Sequence, residues 1–343
     1  MSRLVAVTPD TRPVMYEAFS TAVRDAGGEV AVSAADLAEA TALIWADPYV
    51  PHRYPEVIAS VPAVEWVQLP YAGIEPFLDY LDPRLVWTCA KGVYADPVAE
   101  WVMAALLMGL RDFHLFAGAD SWCAESGRNL LGARITVLGG GGITRSLLRL
   151  LEPWSCDVTV VRRSAESVEG AARTFTLADA HQAVAGADAV VVALALTEET
   201  HHVVDAGLLE AMGPQCWLVN VARGGHVDHS ALGAALRSGL IAGAVLDVTD
   251  PEPLPDSSEL WGLPNCVITP HIGNTREMGL RGPARPGRRS PRLLTPASNP
   301  RPAPLASQPG LDIVVLVIQT SLQYKLSARR RSKWEHSTRA QMP

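Results

Sequence analysis

The chain has 343 residues, of which 48% are hydrophobic and 19% charged, and its formal net charge is −7. This length corresponds to about two domains, and the apolar content is too high for an intrinsically disordered chain. The acidic balance disfavours a nucleic-acid binder that relies on a general positive field. The basic residues are concentrated at one end, since residues 281–343 carry a net of +10 and residues 1–280 a net of −17.

The cysteines and the apolar segments indicate the cellular compartment in which the protein is expected. Five cysteines stand singly without the short spacings of a zinc site or a redox pair, which favours a reducing compartment. The apolar stretch after Met1 is too short for a signal peptide. The longest apolar helix candidate, Val98–Leu110, is shorter than the roughly 18 to 20 residues that cross a bilayer. We therefore expect a cytoplasmic protein without membrane or nucleic-acid partners.

The first part of the chain alternates short apolar runs with helical segments, a pattern typical of βαβ units in parallel sheets. A helix is predicted around Val14–Ala26. Five strands are predicted, at Leu4–Thr8, Glu29–Ser33, Ala42–Ala46, Val64–Leu69 and Leu85–Cys89. These elements predict a parallel sheet of modest size.

A second set of elements begins after Gly92 with a long apolar helix, which Asp96 is predicted to cap and Pro97 to start. Six further strands are predicted, at Arg134–Leu138, Asp157–Val161, Ala189–Leu194, Trp217–Val221, Ala242–Val248 and Cys266–Thr269. The intervening helices are predicted around Ile143–Leu151, Ala178–Val184, Ala206–Met212 and His229–Ser238. Six parallel strands with connecting helices are the number in a complete dinucleotide-binding fold.

The first strand of the second set runs directly into a glycine-rich turn and a helix start, the context in which such a turn indicates dinucleotide binding. Gly139 allows the tight turn, and Gly141 allows a pyrophosphate to approach the backbone. The pyrophosphate would contact the N–H groups of Gly142 and Ile143 at the positive end of the helix. Thr144 replaces the third glycine of the motif. A four-glycine turn without a ligand is the alternative.

The next strand ends in Arg162, Arg163 and Ser164 rather than in an acidic residue. A carboxylate at this place binds the ribose 2′-hydroxyl of NAD, whereas guanidinium groups and a hydroxyl suit the 2′-phosphate of NADP. We therefore expect NADP or NAD as the cofactor, with NADP favoured. The alternative is that both arginines are solvated and that the cofactor choice is loose.

Three strands of the second set are followed by residues that can perform acid–base or carboxylate chemistry: Arg223, Glu252 and His271. Because the carboxyl ends of parallel strands share one crevice, we expect these side chains to converge. Each residue alone is more typical of a solvated or structural side chain. Together with a nucleotide-binding turn they indicate a site.

These residue types suit the reduction of a 2-keto acid, or the reverse reaction. Arg223 would pair with the substrate carboxylate and polarise the carbonyl group. His271 would donate a proton to the carbonyl oxygen, and Glu252 would favour the protonated imidazole and hold its tautomer. A positioned acid of this kind accelerates a reaction by about 10²- to 10⁴-fold.

Several segments together resemble the D-isomer-specific 2-hydroxyacid dehydrogenase family, over about residues 40–280. They are similar to the family's segment entering the nucleotide domain, its adenine-side loop and its three catalytic signatures. In that order they are Gly92–Glu100, Leu194–Thr200, Val219–Gly225, Leu246–Pro253 and Thr269–Gly273. The implied architecture is α/β with two doubly wound parallel sheets. We assign 1–94 to a smaller flavodoxin-like substrate domain, 95–275 to a Rossmann dinucleotide-binding domain and 276–343 to an atypical basic tail.

The resemblance also implies roles for individual residues. It gives Arg223, Glu252 and His271 the catalytic roles inferred above. It implies that the turn formed by Tyr71, Ala72 and Gly73 holds the substrate carboxylate, with an ordinary strand-to-helix turn as the alternative. Further coenzyme contacts are expected at Leu194, Ala195, Thr200, Val221, Ala222, Arg223, His271 and, for the nicotinamide amide, Asp247. A homodimer is expected, with the helix from Pro97 near the contact.

The chain departs from the family at several places. Besides Thr144 and Arg162, Ala195 stands where the family usually has proline in the adenine-side loop. After Leu280 the similarity gives way to a basic, Pro- and Arg-rich tail in place of the family's returning helix. We hypothesise a shifted reading frame or a fused segment. Translation of the coding DNA in its other frames tests this, since the absence of an amphipathic helix there would contradict it.

Three functions remain open at this point. The leading one is an oxidoreductase that transfers a hydride between NAD(P)H and C2 of a small 2-keto acid or D-2-hydroxy acid, with a 3-phosphoglycerate dehydrogenase as a subcase. The second is a non-catalytic, cofactor-sensing protein similar to the family's corepressors. The third is an inactive relative whose substrate domain is incomplete because of the tail. The presence of Arg223, Glu252 and His271 favours the enzyme.

Overall fold

The computed structural model describes residues 4–90 and 92–274. These residues form two compact units, which divide between Val93 and Tyr94. Each unit is an α/β structure built on a parallel sheet, so the predicted fold class is confirmed. The basic tail at 276–343, and with it the hypothesis of a shifted frame, lies outside the described residues.

Within residues 4–90, the sheet of the first unit has five parallel strands in the order β2-β1-β3-β4-β5, the doubly wound order of flavodoxin. Its strands are β1 Leu4–Thr8, β2 Glu29–Val30, β3 Ala42–Trp45, β4 Trp66–Leu69 and β5 Val86–Cys89. Its helices are α1 Pro13–Asp25, α2 Ala34–Glu39 and α3 Tyr54–Ser60. The second strand ends three residues earlier than predicted, because Ser33 already forms a capping box with Asp36 at the start of α2.

The sheet of the second unit has seven parallel strands in its described part, in the order β12-β11-β10-β9-β6-β7-β8. They are β6 Arg134–Leu138, β7 Asp157–Arg162, β8 Arg173–Thr176, β9 Ala189–Val192, β10 Trp217–Asn220, β11 Gly243–Leu246 and β12 Cys266–Ile268. The helices are α4 Ala95–Leu110, α5 Phe113–Phe116, α6 Gly142–Leu151, α7 Ala180–Val184, α8 Ala206–Met212 and α9 His229–Ser238. The first six strands in spatial order from β8 follow the Rossmann arrangement.

The prediction of six strands in this unit was one too few. β8 was missed because its sequence, Arg-Thr-Phe-Thr, is not an apolar run. Among the described residues it lies at the edge of the sheet, pairs only with β7 and stays partly exposed. An edge strand has one neighbour and needs less apolar surface than a central strand. Its sequence therefore shows little of the apolar pattern from which strands are predicted.

Helix α4 is buried as predicted, but its start differs from the prediction. The helix begins at Ala95, two residues before Pro97, and Asp96 does not cap it. The Asp96 carboxylate instead accepts hydrogen bonds from Ser146 Oγ at 2.6 Å and Arg149 Nη2 at 2.7 Å, both on α6. Asp96 therefore bonds to side chains of α6 instead of capping its own helix. None of the helices within 4–90 and 92–274 combines the length and apolar character that a bilayer crossing requires.

The register of the second sheet brings its functional loops to one edge. Leu138, Val192, Asn220, Leu246 and Ile268 stand level across five neighbouring parallel strands. The loops that follow these residues therefore all leave the sheet on the same side. This carboxyl edge is where ligands bind in open parallel sheets.

Candidate active site

The glycine-rich turn after β6 requires a glycine at its first position. Gly139 has a φ of +124°, which L side chains rarely adopt. A Cβ atom added there would lie 2.3 Å from the carbonyl oxygen of Ala193. The turn therefore packs directly on the backbone that follows β9, and no larger residue fits.

The start of α6 has the features of an anion site. Gly141 is the N-cap residue, no side chain of the described residues caps the helix, and no acidic residue lies in its first turn. A Cβ atom added to Gly141 would meet nothing within 4 Å, so protein packing does not explain a glycine there, whereas a ligand approaching the backbone does. The first N–H groups, at Gly142 and Ile143, are suited to hold a pyrophosphate. The residues present thus fit a dinucleotide.

Thr144, which replaces the third glycine of the motif, is fully buried. Its hydroxyl donates a hydrogen bond of 2.7 Å to the carbonyl oxygen of Gly139. The substitution therefore closes the glycine turn with a bond that a third glycine could not make.

The end of β7 carries both cationic and anionic groups. Arg162 is half-buried beside the glycine turn, and Arg163 is exposed. Glu166, a residue outside the predicted site, has its Oε2 atom 4.0 Å from Arg162 Nη2 and 3.5 Å from Ser164 Oγ. This end of the strand thus holds groups suited to a 2′-phosphate together with a carboxylate that competes for them.

The adenine-side loop is closed by a buried threonine. Thr200 Oγ1 accepts a hydrogen bond from the N–H of Thr197 and donates one to the carbonyl oxygen of Ala195, both at 2.8 Å. Leu194, at the start of the loop, lies against Gly139. These bonds hold the loop although Ala195 replaces the usual proline.

The loop after β10 is positioned by Asn220, a residue without an assigned role in the sequence analysis. Its Nδ2 donates to the carbonyl oxygen of Arg223 at 2.9 Å, and its Oδ1 accepts from the N–H of Ala222 at 3.1 Å. A Cβ atom on Gly224 would lie 1.9 Å from the carbonyl carbon of Thr249. The loop carrying Arg223 is thus in direct backbone contact with the loop that leads to Glu252.

Glu252 and His271 form a hydrogen-bonded pair. The distance from Glu252 Oε1 to His271 Nδ1 is 2.7 Å, and both side chains are nearly half exposed. Because a carboxylate only accepts hydrogen bonds, Nδ1 carries the proton and Nε2 is the atom that can exchange a proton with a substrate. His271 has a φ of +53° and is held by a hydrogen bond from its N–H to the carbonyl oxygen of Asp247.

Asp247 holds the histidine loop in place. Its side chain is buried, with 2% of the residue exposed. Oδ1 accepts hydrogen bonds from Thr269 Oγ1 at 2.6 Å and the Ile272 N–H at 2.7 Å, and Oδ2 accepts one from the Gly273 N–H at 2.8 Å. The contact with the nicotinamide amide that the resemblance implies stays a prediction. The role of Asp247 in positioning this loop could be found only from the structure.

His229, the first residue of α9, faces the acidic loop and was also missed. Burial lowers the pKa of His229, and the nearby carboxylates of Asp250 and Asp228 oppose this effect. The ring of His202 lowers the pKa further. An imidazole that favours its neutral form therefore lies near Asp250, in the loop that leads to Glu252.

The turn formed by Tyr71, Ala72 and Gly73 belongs to the first unit, where it follows β4 at the carboxyl edge of the sheet. Burial raises the pKa of Tyr71, and the side chain of Arg12 beside it partly offsets this. Within residues 4–90 and 92–274, no cluster of three or more His, Cys, Asp or Glu side chains could hold a metal ion.

Comparison with known proteins identifies the family. Residues 101–273 match the NAD binding domain of the D-isomer specific 2-hydroxyacid dehydrogenases. The chain belongs to this family. The resemblance that its motifs indicated is therefore confirmed.

Two relatives with named activities are about one third identical to this chain over the aligned residues. It is 36% identical over 205 residues to (S)-sulfolactate dehydrogenase from Chromohalobacter salexigens, covering 56% of this chain and 64% of that protein. It is 33% identical over 222 residues to glyoxylate reductase/hydroxypyruvate reductase from Mus musculus, covering 57% of this chain and 67% of that protein.

The fold of a solved family member is similar. A D-isomer specific 2-hydroxyacid dehydrogenase from Xanthobacter autotrophicus, crystallised with NADPH and MES, matches with a TM-score of 0.69 and 29% identity. The match covers 80% of this chain and 89% of that one. This 2-hydroxyacid dehydrogenase is therefore an oxidoreductase of the NAD(P)-dependent class, with a nicotinamide dinucleotide as cofactor and small acids as substrates.

Proposed function

We propose that this dehydrogenase transfers a hydride between NAD(P)H and C2 of a small 2-keto acid or D-2-hydroxy acid. His271 acts as the acid or base, Glu252 is its partner, and Arg223 binds the substrate carboxylate. The observation that carries the proposal is the 2.7 Å hydrogen bond between Glu252 Oε1 and His271 Nδ1. This pair lies on the same edge of the sheet as the glycine turn and the Arg223 loop.

In the reducing direction, the guanidinium of Arg223 binds the substrate carboxylate and polarises the neighbouring carbonyl group. The hydride for C2 would come from a reduced nicotinamide, when one is bound. His271 Nε2 gives its proton to the carbonyl oxygen, so that the ketone becomes a hydroxyl group. The carboxylate of Glu252 accepts the hydrogen bond from Nδ1–H and leaves Nε2 to exchange the proton. In the oxidising direction the neutral His271 removes the hydroxyl proton.

The coenzyme would be held mainly by backbone groups of the second unit. Gly141, Gly142 and Ile143 would present N–H groups to the pyrophosphate. Arg162, Arg163 and Ser164 would bind a 2′-phosphate, and we therefore propose NADP as the favoured coenzyme. The remaining contacts would come from the adenine-side loop and strand ends, at Leu194, Ala195, Thr200, Val221, Ala222 and Asp247.

The first unit would act as the substrate domain, and the segment from residue 95 to 275 as the coenzyme domain. The N–H groups of the turn formed by Tyr71, Ala72 and Gly73 would bind a substrate carboxylate. This division of roles follows the family's arrangement, and cytoplasmic localisation is part of the same proposal.

We also propose that the protein is a homodimer. Large apolar side chains are exposed after α4, at Phe113, Leu115 and Phe116, and Trp122 is fully exposed. Exposed apolar groups of this size favour burial against a partner. Light scattering on the purified chain tests this, with Trp122→Ser expected to shift the protein toward the monomer.

The activity test uses the purified full chain with NADPH or NADH and either glyoxylate or hydroxypyruvate, followed by the absorbance of the reduced coenzyme. Turnover that disappears in His271→Gln is expected. Coenzyme binding without turnover would contradict the proposal and indicate a cofactor-sensing or inactive relative instead.

A further inference from the structure

The carbonyl oxygen of Arg223 accepts three hydrogen bonds within its own loop. Asn220 Nδ2 lies 2.9 Å from this oxygen, His226 Nδ1 lies 3.0 Å from it, and the backbone nitrogen of His226 lies 3.3 Å from it. A carbonyl oxygen has two lone pairs, so three donors use its full capacity to accept. The peptide group that follows Arg223 is therefore held from both sides of the loop.

His226 supplies two of these three bonds, and its own position is fixed. The residue is fully buried and ends a short 3₁₀ turn, Gly224–His226. Its carbonyl oxygen accepts a hydrogen bond of 2.9 Å from the N–H of Val204. Because a carbonyl oxygen only accepts, Nδ1 of His226 carries the proton in the bond to Arg223. The imidazole thus places a donor behind Arg223, away from bulk water.

The two residues between Arg223 and His226 explain why the loop needs such a bond. Gly224 and Gly225 have no side chains, so their backbone has more conformational freedom than that of other residues. Position 224 cannot carry a side chain, because a Cβ atom there would meet the backbone of Thr249. The bonds from His226 span both glycines and close the turn onto the carbonyl oxygen of Arg223.

The orientation of this peptide group matters for the side chain that it carries. Arg223 has an extended backbone, with φ of −148° and ψ of 149°, and its Nη1 donates a hydrogen bond of 2.6 Å to the carbonyl oxygen of Ala222. Since the guanidinium stands at the end of a long side chain, a small rotation of the backbone displaces it by a larger distance. A misplacement of about 1 Å in a site of this kind can lower the rate about 10²-fold.

We propose that His226 is a positioning residue for Arg223. Its Nδ1–H bond to the carbonyl oxygen of Arg223 holds the guanidinium in the orientation that binds the substrate carboxylate. The inference rests on the proposed function, in which Arg223 has this role. His226 acts through the backbone of Arg223, and the proton transfer stays with His271.

Two variants of the full chain separate this hydrogen bond from packing. In His226→Asn the amide nitrogen is as many bonds from the backbone as Nδ1, so it can still donate to Arg223. His226→Leu fills more of the buried volume but cannot donate. We expect kcat/KM for glyoxylate to fall by about 3- to 10-fold in His226→Leu and by less than about 2-fold in His226→Asn. The melting temperature should follow the opposite order, because asparagine leaves the larger cavity.

A histidine that only filled space would give a different result. The activity would then follow the melting temperature, and His226→Asn would be the less active variant. That order, or equal activity of the two variants, would overturn the inference. The control is His181→Leu, which replaces an exposed histidine on α7 and should change neither kcat/KM nor the melting temperature. The dissociation constant of the coenzyme should stay within about 2-fold in both His226 variants, since the glycine turn is untouched.

A double-mutant cycle with Arg223→Gln tests whether His226 acts through Arg223. Once the guanidinium is gone, His226→Leu should lower kcat/KM by less than about 1.5-fold further, because nothing remains to be positioned. The same loss with and without Arg223 would overturn the inference and leave the proposed reaction intact.

A binding measurement covers the case in which the chain shows no turnover. Calorimetry then compares the binding of oxamate, a carboxylate analogue of 2-keto acids, to the full chain with reduced coenzyme. Binding that is weaker in His226→Leu than in His226→Asn supports the inference, and only the proposed reaction is wrong. Equal binding by the two variants, or no binding of oxamate by the unaltered chain, overturns the inference.

Discussion

The carboxyl edges of the two sheets are built differently. In the second unit, glycine contacts and buried hydrogen bonds hold the loops against one another, with Gly139 and Gly224 pressed on neighbouring backbone and Asp247 tying the histidine loop. In the first unit, the corresponding edge carries polar and aromatic side chains, and Tyr49 is 74% exposed. A reaction needs fixed geometry, whereas substrate choice depends on side chains that can be exchanged without disturbing it. We therefore expect substitutions at the second edge to affect kcat and those at the first to affect KM.

The largest expected effect is at the proposed acid. His271→Gln should lower kcat by about 10²- to 10⁴-fold, because the amide cannot donate the proton that the carbonyl oxygen takes up. Coenzyme affinity, measured by fluorescence titration, should stay within about 3-fold, since the change removes chemistry and not the glycine turn. If most of the activity remained, His271 would not be the acid. The expectation that substitutions at the second edge affect kcat would then be wrong as well.

A smaller effect is expected where backbone meets backbone. Gly224→Ala would place a Cβ atom against the Thr249 carbonyl, so the loops of Arg223 and Glu252 must separate. Overpacking of this kind costs about 1–3 kcal/mol, and we expect a lower melting temperature and a loss of activity.

Gly262→Ala is the matched control for this substitution, because a Cβ atom there meets nothing within 4 Å. Gly262→Ala should change neither the melting temperature nor the activity. If both variants behaved alike, the tight contact between the two loops would not be needed for activity.

The coenzyme preference provides a third test. Arg162→Gln should raise the KM for NADPH by about 10-fold and leave that for NADH nearly unchanged, because only NADPH carries the 2′-phosphate. Glu166→Gln should act in the opposite direction and more weakly, since it removes the carboxylate that lies near both Arg162 and Ser164. Tighter binding of NADH than of NADPH by the unaltered protein would refute this assignment.

The smallest effect concerns stability against pH. Burial lowers the pKa of His229 and of His114 below the ordinary value of 6.5. As the pH falls, the unfolded chain therefore binds protons before the folded one does. The free energy of unfolding keeps its full value above about pH 6.5 and decreases below it. We expect the melting temperature to drop between pH 7.5 and pH 5.5, and to drop less in His229→Gln. Parallel curves for the two proteins would show that His229 does not contribute.

Much of the fold could be predicted because the strands are short apolar runs between helices. Helices α8 and α9 have the bounds that were predicted, at Ala206–Met212 and His229–Ser238. The edge strand β8 could not be found this way, since its residues gain their pairing from β7 and not from burial. The predicted cap at Asp96 was wrong for a similar reason, because its partners are on another helix.

The candidate site could be predicted only in part. The glycine turn and the residues Arg223, Glu252 and His271 stand directly after strands, where a parallel sheet collects functional groups. Asn220 and Asp247 could not be assigned their positioning roles, because each bonds to atoms of a loop whose path depends on its neighbours.

The sequence by itself determined the parallel sheets, the dinucleotide turn and the residue types available for catalysis. These depend on local periodicity and on the rule that parallel strands end at one edge. Only the tertiary structure decided which side chains support them: Asp247 holds the histidine loop, and Thr144 closes the glycine turn. Such contacts arise from strand order and loop path, which bring together groups that are far apart along the chain.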